Sequence, residues 1–131
     1  MTPTPLICFK TPFFQIEPGE DELTNPNIFG HALAKWLAES LKKRGEPVLE
    51  VLSEDWGWCV MLIRKPYRLW IGCGNRYGCI DEWCVFVEAE PNIFQSVFRR
   101  IDSGQSVNRI YKILQEIIHE IPDISEIWTE E

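Results

Sequence analysis

The chain has 131 residues, a formal net charge of −7 and a hydrophobic fraction of 45%. This length predicts a single domain over residues 1–131, and the apolar fraction argues against disorder. The acidic balance disfavours nucleic-acid binding, which needs a basic face. No apolar run approaches the ~18 residues of a membrane span, and no export signal is visible, so we expect a cytoplasmic protein.

The first third of the chain predicts a strand and a helix joined by an acidic loop. Residues 6–9 and 13–16 are apolar and are separated by Thr11-Pro12. This pattern indicates an edge strand or two short pieces, because proline cannot donate to a ladder. Asn25 and Pro26 suit the N-cap and first turn of a helix over residues 26–44. That helix carries an apolar stripe formed by Phe29, Leu33, Leu37 and Leu41.

The rest of the chain predicts strands and then helices. Short apolar segments lie at residues 48–52, 58–64, 68–73 and 82–88. Their close spacing favours an antiparallel meander over parallel crossovers. Helical periodicity follows at residues 92–101 and again from Ser106 until Pro122, and Trp128 offers an apolar contact that would dock the acidic tail. We therefore predict an α+β domain with an antiparallel meander of four to five strands and three helices, in the order β-α-β-β-β-β-α-α.

The most unusual segment is the acidic and aromatic run Ser53-Glu54-Asp55-Trp56-Gly57-Trp58. On a strand, this spacing places the Trp56 and Trp58 indoles on the same face. Trp70 and Trp83 lie on the two following strands, so we expect four indoles near one another on the sheet. We interpret them as an interface, because Trp is a frequent hot spot and adjacent acids favour a basic partner. The alternative is that these indoles belong to the core.

Acidic side chains extend this candidate surface. Glu54 and Asp55 would point to opposite sides of a strand, which is poor geometry for a catalytic acid and base. The acidic loop at residues 17–22 lacks the spacing of a calcium loop. We predict neither a metal nor a cofactor, and a binding surface formed by Glu54, Asp55, Trp56, Trp58, Trp70 and Trp83, with Glu20, Asp21 and Glu22 nearby.

Cysteine, glycine and histidine patterns argue against an enzyme. The five cysteines lack the close pairs of a zinc site, and we expect them to stay reduced. Gly72, Gly74 and Gly78 suit a bulge and turn positions with positive φ in a hairpin loop over residues 72–79. His31 and His119 lie on separate predicted helices, and no hydrolase motif is present.

Three patterns between Glu20 and Cys59 form a distinctive combination: Thr24-Asn25-Pro26, the helical sequence of residues 30–37, and Glu54-Asp55-Trp56-Gly57-Trp58. This combination resembles a group of small, uncharacterised bacterial single-domain proteins. The resemblance implies a bacterial protein and transfers no residue roles. Size, acidity and aromatic content are also similar to those of small immunity proteins that neutralise toxins.

Two hypotheses about function follow from these patterns. The first is a cytosolic protein-binding module, with an immunity-type inhibitor as one form, whose acidic and tryptophan-rich surface binds a basic protein. The alternative is a small-ligand-binding or enzymatic pocket between the sheet and the helices. Its walls would be Trp56, Trp70 and Trp83, with Glu54, Asp55 or His31 as polar groups. A flat aromatic patch favours the first and a deep cavity favours the second. The sequence does not exclude that the protein forms a homodimer.

Overall fold

The computed structural model describes residues 3–91 and 103–131 and shows an α+β fold. Its strands are β1 (Leu6–Lys10), β2 (Glu50–Glu54), β3 (Gly57–Ile63), β4 (Tyr67–Asn75), β5 (Glu82–Pro91) and β6 (Glu126–Glu130). Its α-helices in those residues are α1 (His31–Lys43) and α2 (Gly104–Ile118). The α+β class and the antiparallel sheet are confirmed, whereas the predicted strand count is too low. The helix predicted at residues 92–101 lies outside the described residues.

The sheet is antiparallel throughout and has the strand order β2-β3-β4-β5-β1-β6. Strands β2 to β5 form the predicted meander. The edge position predicted for the first strand is wrong, because β1 lies between β5 and β6. Thr11 and Pro12 follow Lys10, the last ladder residue, so the proline removes no ladder hydrogen bond. Residues 13–16 form no strand.

The strand missing from the sequence prediction is β6. It pairs with β1 so that Cys8 lies opposite Trp128 and Lys10 lies opposite Glu126. The strand has five residues, two of them the terminal Glu126 and Glu130. So short and polar a segment gives too weak a period-two signal to be recognised.

The first helix begins at His31, so its predicted start at Pro26 is wrong. Asn25 does not cap the helix, because it lies well before His31 and its side chain donates a hydrogen bond to the Asp55 carbonyl. Gly30, with a φ of 150°, is the N-cap residue. Such a backbone conformation favours glycine, which explains why the chain enters the helix here.

The second helix also begins earlier than its sequence suggests. Ser103, rather than the predicted Ser106, occupies the N-cap position of α2. The Ser106 hydroxyl instead accepts a 2.6 Å hydrogen bond from the Tyr67 hydroxyl. This contact ties the first turn of α2 to the start of β4.

One face of the sheet and the two helices enclose the core. The predicted stripe of α1 is confirmed, because Leu33, Leu37 and Leu41 are fully buried. α1 packs against β2, β3 and β4, and α2 packs against β5. The sheet contributes buried side chains from every other position of its strands, including Phe9, Trp58, Val60, Ile71, Trp83 and Val85.

The opposite side of the sheet, which we call the open face, is covered by neither α1 nor α2. It carries the alternate strand residues, among them Leu52, Cys59, Met61, Trp70, Phe86, Glu88, Cys84, Cys8 and Trp128. Cys59 and Met61 are nevertheless buried. Part of the open face is therefore shielded from solvent.

Candidate binding site

Two of the four predicted interface indoles belong to the core. Trp58 is 4% exposed, and its ring stacks on the His31 ring of α1 with 4.3 Å between centroids. Trp83 is 1% exposed, and its indole N–H donates a 3.2 Å hydrogen bond to the Thr11 carbonyl. Both indoles face the helices and offer no surface to a partner.

Trp56 lies on the opposite side of the sheet from Trp58, so the prediction that both indoles share a face is wrong. Glu54 pairs with Gly57, which leaves Asp55 and Trp56 as a two-residue hairpin turn between β2 and β3. Gly57 has a φ of 154°. Because Trp56 is a turn residue, the period-two rule for strands does not apply across this pair.

Trp56 joins Trp70 and Phe86 in a group of three rings on the open face, which we call the aromatic cluster. The Trp56 centroid lies 5.6 Å from that of Trp70 and 5.7 Å from that of Phe86. Trp70 and Phe86 meet edge to face at 5.6 Å. Trp56 remains 43% exposed. These separations lie in the range where aromatic pairs attract, so the exposed indole is packed against the two other rings.

Phe86 was not among the predicted site residues, and Gly72 explains its position. Gly72 lies directly opposite Phe86 in the β4–β5 pairing. A Cβ atom at Gly72 would lie 2.4 Å from the Phe86 ring, so the ring occupies the space that a side chain would fill. Gly72 therefore makes room for the Phe86 ring from within strand β4. Gly74 is also a strand residue, so the turn positions predicted for these two glycines are wrong.

Grooves flank the aromatic cluster on two sides. A groove of about 260 Å³, which we call the acidic groove, is lined by Cys59, Met61 and Arg68 together with Glu54, Trp56, Trp70, Glu88 and Glu90. A second groove of about 410 Å³ is lined by Pro3, Cys73, Gly74, Asn75, Cys84 and Phe86 together with Trp56, Trp70 and Glu88. Trp56, Trp70 and Glu88 thus border both grooves.

The acidic groove carries more negative than positive charge. Arg68 forms an ion pair with Glu90 across β4 and β5. Within residues 3–91 and 103–131, neither Glu54 nor Glu88 forms an ion pair. Partial burial, with a smaller contribution from Glu90, raises the pKa of Glu88 above its usual value. Within the described residues, the groove therefore holds two carboxylates, those of Glu54 and Glu88, that no ion pair neutralises.

The remaining predicted acidic residues lie away from the grooves. Glu20 is 4% exposed, and its carboxylate accepts hydrogen bonds of 3.2 and 3.0 Å from the N–H groups of Gly30 and His31. Asp21 accepts a 3.1 Å hydrogen bond from the Asn27 N–H. Neither of these residues nor Glu22 lines a groove beside the aromatic cluster. Their contacts order the loop that leads into α1.

The Asp55 carbonyl accepts a 2.9 Å hydrogen bond from the Asn25 side chain. This contact joins the hairpin turn that carries Trp56 to the loop before α1. It therefore anchors the residue that precedes Trp56 in the turn.

Each of the two histidine rings contacts a polar group of a nearby residue. His31 Nδ1 lies 2.7 Å from a carboxylate oxygen of Glu17, and the Lys35 ammonium lies 2.6 Å from the other oxygen. Hydrogen bonds from Lys35 and His31 lower the pKa of Glu17. His119 Nδ1 lies 2.7 Å from the Gln115 carbonyl in the last turn of α2. Neither ring lines a groove beside the aromatic cluster.

The cysteine thiols are all free. Burial raises the pKa of Cys59 to about 12 and that of Cys84 to about 11, so both stay protonated at neutral pH. In the described ranges, no group of three or more His, Cys, Asp or Glu side chains is placed to hold a metal ion.

Comparisons with known proteins give this chain no relative. A scan against protein-family models found no match, and searches of the curated proteins and of the solved structures found none either. Neither α1 nor α2, the helices of the described residues, is long and apolar enough to cross a membrane.

Proposed function

We propose that the protein is a cytoplasmic binding module that docks a partner protein on the open face of its sheet, with the aromatic cluster at the centre of the contact. The observation that carries this proposal is the exposed Trp56 ring, held against Trp70 and Phe86 on the side of the sheet that α1 and α2 leave uncovered. Aromatic anchors of this kind supply much of the free energy in protein interfaces.

Fixed geometry makes the aromatic cluster a strong anchor. Binding normally costs free energy to immobilise side chains at the interface. The contacts of Trp56 with two other rings already restrict its rotation. A partner that buries this indole therefore gains apolar contact area at a small additional entropic cost.

Charge favours a basic partner. The chain has a formal net charge of −7, and Glu54 and Glu88 border the cluster without ion-pair partners in the described part of the chain. Such a surface accelerates association with a positively charged protein and disfavours acidic competitors. Small immunity proteins, which bind toxins, are one class of module with comparable size and acidity, and we propose this as the specific form of the function.

Quantitative capture from lysate of the native cell tests the proposal. We expect wild-type protein to retain a partner, and Trp56→Ala to weaken that complex by about 2 kcal/mol, roughly thirtyfold in Kd. Phe13→Ala is the matched control, because Phe13 is 40% exposed but lies outside the aromatic cluster. A partner retained equally by both variants, each with unchanged thermal unfolding, would rule out docking at this face.

A small cationic ligand is the second candidate. It is favoured by the acidic groove, which combines two indoles with carboxylates in about 260 Å³. His31 and Trp83, which the sequence hypothesis placed in such a pocket, belong to the helix side of the sheet. Native mass spectrometry of protein purified from its own cell distinguishes the candidates, because a ligand would appear as a constant added mass without any protein partner.

A further inference from the structure

We infer that the acidic groove receives the guanidinium group of an arginine side chain presented by the partner protein. This inference rests on the proposed function and names the chemistry of its central contact. The groove provides an aromatic wall and carboxylates at the same place, and these are the two groups that bind a guanidinium ion.

Trp56 and Trp70 form the aromatic wall. Both rings line the acidic groove, and their centroids lie 5.6 Å apart with 31° between the ring planes. Trp gives the strongest cation–π attraction of the aromatic side chains, at distances up to ~6 Å from the centroid. A flat guanidinium group stacks on such a ring while its edge remains available for hydrogen bonds.

Glu54 and Glu88 supply the negative charge. Both line the acidic groove, and in residues 3–91 and 103–131 neither forms an ion pair. The groove's own cation, Arg68, is already paired with Glu90. The open position is therefore the one beside Glu54 and Glu88, to which the described residues contribute no ion-pair partner, and an incoming cation would supply that counter-charge.

The chain itself shows the same recognition elsewhere on the open face. The Arg76 guanidinium lies 4.8 Å from the Tyr77 centroid and 5.8 Å from the Trp128 ring. It also donates to both carboxylate oxygens of Glu130. Aromatic rings and a carboxylate thus hold an arginine at another position of the same protein, which supports arginine over lysine as the occupant of the acidic groove. Lysine is more strongly hydrated and lacks the planar fork.

The protonation of Glu88 gives the contact a pH dependence. The charged groups that line the groove with Glu88 are Glu54 and Glu90 as anions and Arg68 as a cation, and the N-terminal amino group of the chain makes a smaller contribution that lowers the pKa of Glu88. Burial and Glu90 raise the pKa of Glu88, which disfavours its ionised form while the groove is empty. An arginine removes this penalty, so its binding strengthens as pH rises through the titration of Glu88 and weakens in acid.

Chemical-shift titration of the isotope-labelled full chain tests the inference with a matched pair of probes. N-acetyl-arginine methylamide carries the guanidinium group, and N-acetyl-citrulline methylamide has nearly the same shape without the charge. We expect the arginine probe to shift the indole N–H signals of Trp56 and Trp70, with an affinity about tenfold higher than that of the citrulline probe. The lysine analogue should bind more weakly than the arginine probe.

Isosteric variants locate the charge. Glu54→Gln and Glu88→Gln should each reduce arginine affinity severalfold, whereas Glu39→Gln, which removes the same charge from α1, should leave it unchanged. Equal shifts with arginine and citrulline, an unchanged affinity in both groove variants, or a preference for lysine would overturn the inference. Tighter binding of free L-arginine than of the blocked probe would overturn a protein source, because an arginine residue within a protein has neither the free ammonium nor the free carboxylate group.

Failure here is distinguishable from failure of the proposed function. A partner captured through Trp56 without any preference of the groove for arginine contradicts the arginine site and leaves docking on the open face intact. A partner captured independently of Trp56 contradicts the docking itself, and with it the arginine site.

Discussion

At the scale of single residues, Gly72 determines where the Phe86 ring can lie. A Cβ atom at this position would stand 2.4 Å from the ring, and Phe86 contacts both Trp56 and Trp70. We expect Gly72→Ala to displace the ring and to reduce the free energy of unfolding by about 1–3 kcal/mol, as overpacking does elsewhere. Urea unfolding measures the loss.

Gly74→Ala is the matched control for this prediction. It lies two positions further along β4, and its nearest contact to a new Cβ atom would be 3.4 Å, at the Trp56 carbonyl. We expect a clearly smaller destabilisation there. If both substitutions reduce the free energy of unfolding equally, a side chain at position 72 does not displace the Phe86 ring, and this account of Gly72 is wrong.

Glu88 connects stability with binding at the same residue. Its folded-state pKa is raised, so folding favours the protonated form, and the stability associated with that form is lost as pH rises above the ordinary value of 4.5. We expect Glu88→Gln to increase the Tm at pH 7 by about 1–2 °C, because it removes a partly desolvated charge beside Glu90. Thermal unfolding as a function of pH measures the difference.

The gain in Tm predicted for Glu88→Gln should depend on pH. The advantage of Glu88→Gln should disappear in acid, where the wild-type carboxyl is protonated as well. Glu39→Gln, on the exposed side of α1, should show no such gain at pH 7. A lower Tm for Glu88→Gln at neutral pH would mean that the native carboxylate makes stabilising contacts.

At the scale of elements, the start of α1 depends on a side chain from an earlier turn. The Glu20 carboxylate accepts hydrogen bonds from the N–H groups of Gly30 and His31, and its second oxygen accepts one of 2.9 Å from the Glu17 N–H. We expect Glu20→Gln to reduce the free energy of unfolding by about 1–2 kcal/mol, because an amide accepts hydrogen bonds only through its oxygen. Its NH2 group cannot replace the second carboxylate oxygen as an acceptor.

Asp21→Asn provides the comparison for the Glu20 substitution in the same denaturation experiment. Asp21 accepts one exposed backbone hydrogen bond, from Asn27, so replacing its carboxylate by an amide should reduce the free energy of unfolding much less. Equal effects of the two substitutions would show that the helix start does not rely on the buried carboxylate.

Strand β6 is fastened to the sheet by Arg76. This guanidinium is bonded to Glu130, to the Tyr77 hydroxyl and to the Cys8 sulfur, and the bonds to Glu130 are the main reason that its pKa is raised. We expect Arg76→Ala to release β6 locally, with amide hydrogen exchange at Glu126–Glu130 accelerated by about tenfold.

Arg64→Ala should leave the exchange of β6 unchanged, because Arg64 pairs with Glu50 at the opposite edge of the sheet. Mass spectrometry of exchanged peptides separates the two regions. Exchange of β6 that is equally slow in wild type and in Arg76→Ala would show that the backbone ladder with β1 suffices to hold the strand.

At the scale of the whole molecule, β6 closes the side of the sheet on which β1 would otherwise be exposed. β1 carries the buried residues Ile7, Cys8 and Phe9, and an unpaired apolar strand is a template for association. We expect removal of residues 123–131 to produce a protein whose apparent mass in sedimentation rises with concentration. Trp128→Ala, which retains the backbone of the strand, should remain monomeric under the same conditions, and a monomeric truncated chain would contradict this account.

The sequence predicts those features of the molecule that depend on local periodicity. The stripe of Leu33, Leu37 and Leu41 identifies α1, and the meander from β2 to β5 follows from short apolar segments. Features that depend on distant partners were missed. Glu20 caps α1 from ten residues before Gly30, and β1 becomes an interior strand only because it pairs with β6.

The candidate site was predicted in part for the same physical reason. Trp56, Trp70 and Glu54 do line one groove, whereas Trp58 turns to the core because a hairpin turn at Asp55-Trp56 shifts the alternation. Phe86 and Glu88 were missed, since their relevance depends on the register of β5 against β4. A register of this kind is fixed by pairing and cannot be read from one strand alone.

The close contact of Trp56 and Trp70 also makes them coupled chromophores. The ring centroids lie 5.6 Å apart and the ring planes meet at 31°. At this separation we expect the electronic transitions of the two indoles to interact and to contribute an exciton couplet to the far-ultraviolet circular dichroism spectrum. Helix content calculated from such a spectrum would be distorted by these rings, and a change of either indole would alter the ellipticity without any change in the backbone. The couplet therefore offers an optical signal of whatever occupies the space beside the two rings.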